Sequence, residues 1–171
     1  NGELLRTSDG GVTWNHQQLS SGEDLLSLFF VDVNNIWASG TNGTLIMSNN
    51  GGTSWTDLTS GVSEDLWGIF FLDAQTGWAV GWNTILHTDN GGTTWTNQYN
   101  GADIDLRDIF FLDATNGFAV GKDGKYVRTT NGGQGWLMYM TGYNDDLEDI
   151  FFADNLHGWM AAFGYMMRTI D

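Results

Sequence analysis

Inside an otherwise repeated frame, a few positions carry side chains able to do chemistry. Directly after a recurring Asp-Leu pair stand Leu26, Trp67, Arg107 and Glu148, followed by Ser27, Gly68, Asp108 and Asp149. The frame stays fixed here while the residue changes, which is where binding specificity is expected. Trp67, Arg107, Asp108, Glu148 and Asp149 are therefore read as candidate ligand contacts, with solvated loop residues as the alternative. Trp82 lies outside the repeated tryptophan positions. It is read either as an exposed aromatic platform for a sugar or as filler between neighbouring units.

Catalysis reads less well from the same residues. Glycoside hydrolysis needs two carboxylates across a cleft, and 21 acidic residues supply many candidates. The acidic positions recur in register, however: Asp24, Asp65, Asp105 and Asp146, and again Asp32, Asp73, Asp113 and Asp154. Recurrence in every unit is the behaviour of strand-end residues that cap backbone N–H groups. No catalytic residue is assigned. His16, His87 and His157 occupy different repeat positions without ligand spacing, so no metal site is expected. Asp103-Ile104-Asp105 and Asn144-Asp145-Asp146 lack a calcium-loop pattern and read as solvated loops. No phosphate loop or Ser-His-Asp spacing occurs, and no cofactor is expected.

The frame that positions these residues is a hairpin turn present in four versions, closing on Trp14, Trp55, Trp95 and Trp136 at spacings of 41, 40 and 41 residues. The versions are Thr7-Ser8-Asp9-Gly10-Gly11-Val12-Thr13-Trp14, Ser48 to Trp55, Thr88 to Trp95 and Thr129 to Trp136. Asp-Gly and Asn-Gly supply the positive φ of a tight turn, and the side-chain oxygens of Asp9, Asn50, Asn90 and Asn131 can accept N–H groups within it. Three of the four copies carry Asn. An acceptor without charge points to structure, since chemistry or metal binding would want the carboxylate.

Between the turns recur two further segments. Leu28-Phe29-Phe30, Ile69-Phe70-Phe71, Ile109-Phe110-Phe111 and Ile150-Phe151-Phe152 lie in short apolar runs bounded by Asp, expected to be strands buried on both faces. Ile36-Trp37-Ala38-Ser39-Gly40 and its counterparts Gly77 to Gly81, Gly117 to Gly121 and Gly158 to Ala162 read as a tightly packed second strand. With one strand entering each turn and one leaving it, every unit holds four strands and no helix. The fold is therefore all-β, a β-propeller of four-stranded blades. The expected units are a partial blade 1–23, blades 24–64, 65–104 and 105–145, and a partial blade 146–171. Their number predicts part of a larger ring, or a ring completed between chains.

Composition bounds the partners. The 171 residues include 24 Gly, nine Trp and ten Phe but no Cys or Pro. The formal charge of −15 repels nucleic-acid phosphates, so nucleic acid is not an expected partner. No apolar run is long enough to span a membrane as a helix. The chain opens at Asn1 without an initiator Met, as expected of a processed or partial chain.

The turn resembles the Asp-box, S/T-x-D-x-G-x-T-W. Together with the Phe-Phe-Leu-Asp segment and Gly77-Trp78-Ala79-Val80-Gly81, the whole chain resembles the photosystem II stability/assembly factor-like family of Asp-box (BNR-repeat) β-propellers. The resemblance implies a non-enzymatic binding or assembly scaffold, extracellular or at the cell surface, with the periplasm as another compartment. Its expected partner is a protein or further copies of the chain, with a glycan as the alternative ligand. Asp-boxes occur also in sialidases, whose arginine cluster must converge on one carboxylate; Arg6, Arg128 and Arg168 fall at one repeat position and would be spread over successive blades.

Overall fold

The computed structural model describes residues 2–20, 22–99, 101 and 103–169. A leading sheet pairs β1 (Glu3–Arg6) with β2 (Asn15–Gln18). Blade 1 consists of β3 (Leu25–Phe30), β4 (Ile36–Gly40), β5 (Leu45–Ser48) and β6 (Thr56–Leu58). Blade 2 consists of β7 (Leu66–Phe71), β8 (Gly77–Gly81), β9 (Thr84–Thr88) and β10 (Thr96–Asn97). Blade 3 holds β11 (Leu106–Phe111), β12 (Gly117–Gly121), β13 (Lys125–Thr129) and β14 (Leu137–Met140). Blade 4 holds β15 (Leu147–Phe152), β16 (Gly158–Ala162) and β17 (Tyr165–Thr169). Strand order in every sheet follows chain order, and every pairing is antiparallel. This is the meander of a β-propeller blade, and the chain is a β-propeller with an incomplete ring. Helical geometry among the described residues is limited to the single 3₁₀ turns Thr41–Gly43 and Lys122–Gly124. Asn1, Ile170 and Asp171 lie outside the described residues.

Each Gly-Gly turn is closed by its own side chains. Asn90 Oδ1 accepts the Thr94 N–H (2.9 Å) and the Thr88 hydroxyl (3.0 Å), while Thr88 Oγ1 accepts the Gly92 N–H (2.9 Å). Asn50 and Asn131 repeat the pattern with Ser48 and Thr129. Asp9 does so with Thr7 and Thr13, and the Thr13 hydroxyl, its strongest partner, holds the carboxyl down to about 2. The strand-end acids behave alike: Asp73 Oδ1 accepts the N–H groups of Gln75 and Thr76, at 2.7 and 2.8 Å, and these bonds keep its pKa below the usual carboxylate range. Asp32, Asp113 and Asp154 make the same turn and are lowered too.

Between blades the core is aromatic. Phe71 stacks on Trp37 of the preceding blade (centroids 4.0 Å apart), Phe111 on Trp78 (3.6 Å) and Phe152 on Phe118 (4.7 Å). The other phenylalanine of each pair faces forward, so that Phe29, Phe70, Phe110 and Phe151 form a ladder with neighbouring rings 4.9, 5.3 and 5.5 Å apart. Gly77 is required beneath Phe71, because a Cβ there would overlap the ring. Trp37 Nε1 also donates to the Gly91 carbonyl (3.0 Å), latching blade 1 onto the Gly-Gly turn of blade 2.

The expectation that the Phe-Phe strand is buried on both faces needs correction. Phe71 and Phe111 are buried, yet Phe30 is 55% and Phe151 57% exposed. Alternation along the strand sends successive rings to opposite neighbours. Burial of both therefore requires a blade on each side, which only blades 2 and 3 have fully within these residues. Trp14 is likewise 58% exposed. Its counterparts Trp95 and Trp136 stand edge-on against Phe71 and Phe111 of their own blades, and the leading sheet brings no such strand.

Candidate functional site

The variable positions turn out to share one backbone device. Pairing of the first two strands slips between Leu25 and Ser27, Leu66 and Gly68, Leu106 and Asp108, and Leu147 and Asp149. Leu26, Trp67, Arg107 and Glu148 are thus the unpaired residues of four equivalent β-bulges. A bulge breaks the alternation locally and re-aims a side chain. In blades 1, 2 and 3 the partner strand closes against the bulge at a glycine, Gly40, Gly81 or Gly121, where a Cβ would overlap the carbonyl of Asp24, Asp65 or Asp105; blade 4 has Ala162 there.

On two adjacent bulges, Arg107 lies over the Trp67 ring, 4.0 Å from its centre. This is within the range of a cation–π contact. The Arg107 side chain is 12% exposed and pairs with Asp105 (3.3 Å), which also takes Lys122 at 2.7 Å. Among the described residues, Arg107 Nε and Asp105 Oδ1 are covered from solvent and have no hydrogen-bond partner. The cluster therefore holds one donor and one acceptor in reserve.

Asp108 turns into the seam between blades 3 and 4. Its Oδ2 accepts the Ile150 N–H (2.9 Å), and its carboxyl shares a hydrogen bond with Asp149. Burial above all pushes Asp108 up to about 7; the Ile150 N–H opposes the rise and Asp149 adds to it. Asp108 therefore keeps its proton well above the usual carboxylate range.

Of the residues singled out from sequence, Trp67 joins Arg107 and Asp108 joins Asp149, with Glu148 exposed on the fourth bulge. Trp82 stands apart. It is 60% exposed and lines a shallow depression of about 370 Å³ with Val62, Glu64, Asn83 and Asn97. The reason lies in its loop. Trp82 and Asn83 are the whole connection between β8 and β9, against residues 41–44 in blade 1 and 122–124 in blade 3; Asn83 takes φ 49° and Trp82 bridges to Asp105 of the next blade. Sequence reasoning missed Lys122 and the ion-pair role of Asp105. Lys122 follows Gly121 as Trp82 follows Gly81, so variation at that repeat position was the available signal. No group of His, Asp and Glu among the described residues has metal-holding geometry, and none of their helices is long and apolar enough to cross a membrane.

Four-stranded meanders around bulged inner strands define the class, a β-propeller. No protein-family model matches the chain, and no curated protein does. Solved structures share its fold. YCF48 bound to a D1 peptide superposes with a TM-score of 0.69 over 100% of this chain and 57% of its own length, at 19% identity. Streptogramin B lyase gives a TM-score of 0.76 at 13% identity, covering 98% of this chain and 61% of the lyase. An ancestral GH74 enzyme gives 0.74 at 11% identity, over 86% of this chain and 23% of the enzyme. The chain thus spans a little over half of the YCF48 structure, and the similar propellers include enzymes as well as a peptide complex.

Proposed function

We propose that the chain is a non-enzymatic scaffold of the Asp-box propeller type that binds a cationic polypeptide segment across its bulged rim. The observation that carries this reading is the Arg107–Trp67 stack, mounted on adjacent bulges beside exposed Glu148 and Asp149. A peptide unit offers both a donor and an acceptor, matching the two partnerless atoms of Asp105 and Arg107 once the stack opens. A basic side chain suits the neighbouring carboxylates and the charge of −15. The peptide-bound propeller among the similar structures supports a polypeptide ligand. The low Lys and Arg content fits a location outside the cell, which fractionation of the source cells would test.

Calorimetric titration with Lys-rich and Glu-rich peptides tests the ligand class. Binding of the cationic peptide alone, weakened by salt and by Glu148→Lys with Asp149→Lys, is the expected result. Equal binding by that double variant would sink the proposal.

A second reading has its own observation. Phe30 on the leading face and Trp159 on the trailing face occupy the two halves of the contact that Trp37 makes with Phe71. We infer that a second copy of these 171 residues can seat Phe30 on Trp159. Sedimentation would show a concentration-dependent multimer lost in Phe30→Ala, whereas a monomer at all concentrations would contradict it.

A further inference from the structure

The outermost strand of blade 3 breaks the pattern of its counterparts. Strands β2, β6 and β10 and the residues after them are polar at the corresponding positions, Asn15, His16 and Gln18; Thr56, Asp57 and Thr59; Thr96 and Asn97, with Tyr99 of blade 2 the one exception. In β14 the same positions carry Leu137, Met138 and Met140, which are 66%, 47% and 60% exposed. The exposure of Leu137 and Met138 does not come from the smaller size of blade 4. Thr56, Asp57 and Thr59 are exposed although a complete blade follows them, and so are Thr96 and Asn97. Solvation of apolar side chains at positions that elsewhere hold Thr, Asp and Asn marks an interaction surface.

The backbone of β14 is open on the same side. The strand ends its sheet and pairs only with β13. Thr141 N–H donates inward to the Gly124 carbonyl (3.0 Å). Alternation along an antiparallel ladder then aims the N–H and C=O groups of Met138 and Met140 outward. An edge strand with polar side chains discourages pairing, and an apolar one invites it. At the Met140 end Asp123, Asp145 and Asp146 gather around one lysine: Asp145 O accepts the Gly124 N–H, Asp146 Oδ1 accepts the Asp123 N–H, and the Asp123 side chain, 66% exposed, pairs with Lys125 at 3.4 Å. Within β14 there is no charge.

We propose that β14 is a docking edge for an extended segment of a partner protein, added as a fifth strand to blade 3, with apolar residues alternating along it and a Lys or Arg at the end that meets Asp123 and Asp145. This surface is separate from the bulged rim. A second copy of the chain is not the occupant here: the contact between copies inferred above uses Phe30 and Trp159, and this edge suits a basic segment, whereas the chain has six Lys and Arg against 21 Asp and Glu.

The test uses the synthetic peptide Lys-Lys-Ile-Thr-Val-Tyr-Ile-Lys-Lys and an analogue N-methylated at alternate backbone nitrogens. Amide exchange is followed residue by residue on the 171-residue chain and on its Leu137→Thr/Met138→Asn/Met140→Thr variant. That variant installs residue types that blades 1 and 2 carry at the same positions, and an unchanged melting temperature confirms its fold. The expected result is slowing of Met138 and Met140 exchange by about tenfold or more at saturation, no slowing with the methylated analogue, and about tenfold weaker binding to the variant. Unslowed exchange at Met138 and Met140, or equal binding by the variant, overturns the proposal. Concentration-dependent protection of β14 without peptide also overturns it, in favour of pairing between copies.

Discussion

The ring of Trp37 lies face to face with that of Phe71, their centres 4.0 Å apart and their planes within 17°. The same indole donates its N–H to Gly91 in the neighbouring blade's Gly-Gly turn. One residue thus joins the aromatic seam between blades to the polar turn that repeats around the ring. The pairing of Trp78 with Phe111 shows that the seam is a property of the repeat.

Truncating the buried member of such a pair should therefore cost far more than truncating its exposed equivalent. Phe71→Ala is expected to lose about 3–5 kcal/mol of unfolding free energy. Phe30→Ala, at a position 55% exposed, should lose less than about 1 kcal/mol. Urea denaturation of the two variants in parallel measures the difference.

The Gly-Gly turns make a prediction about charge. Asn90→Asp should leave stability within about 0.5 kcal/mol, because Asp9 already makes the same bonds in the leading turn. Asn90→Ala strands the Thr94 N–H and the Thr88 hydroxyl and should cost about 1–3 kcal/mol. Chemical denaturation of both variants tests this, and equal losses would contradict the account of the turn.

Asp108 gives the blade 3–blade 4 seam a pH dependence. Its folded pKa is raised to about 7 from 3.8. Between those values the folded state holds a proton that the unfolded state has released, so stability falls as pH rises through this window. Asp108→Asn keeps an acceptor for the Ile150 N–H and removes the ionisation. Thermal melts should show the variant gaining on the parent chain from pH 5 to pH 8, by about 2–4 °C per kcal/mol of relief. Parallel profiles would contradict the assignment.

How much of this was legible in the sequence follows from what each feature depends on. Turn, strand and blade were readable because Asp9, Asn90 and Trp95 recur in phase with the Phe-Phe and Trp-Ala segments, and local chemistry fixes each of them. The variable positions were also visible, but their bulges were not. A one-residue slip between Leu106 and Asp108 is a property of pairing with β12, and composition carries no trace of it. Exposure of Phe30 and Phe151 depends on neighbouring blades, so strand-level reasoning assigned them to the interior. Trp82 was visible as an aromatic outside the repeat, but its separation from the bulges was not, because a shortened loop alters direction more than it alters pattern.

The rim itself predicts a separation of stability from binding. Trp67→Ala removes a half-buried ring that packs on Arg107 and should change the melting temperature by only a few degrees, about what 1 kcal/mol shifts in a chain of this size. Affinity for the cationic peptide should drop about tenfold. Calorimetry on Trp67→Ala and Phe71→Ala side by side distinguishes loss of the site from loss of the fold.

In the proposed function ligand contacts are concentrated on the bulges of blades 2, 3 and 4. The most direct measurement is the amide-exchange footprint of the chain saturated with the cationic peptide that it binds most tightly. Protection centred on Trp67, Arg107 and the residues around Asp108, Glu148 and Asp149 is the predicted result. Protection confined to the Gly-Gly turns, with the bulges unchanged, would contradict the account.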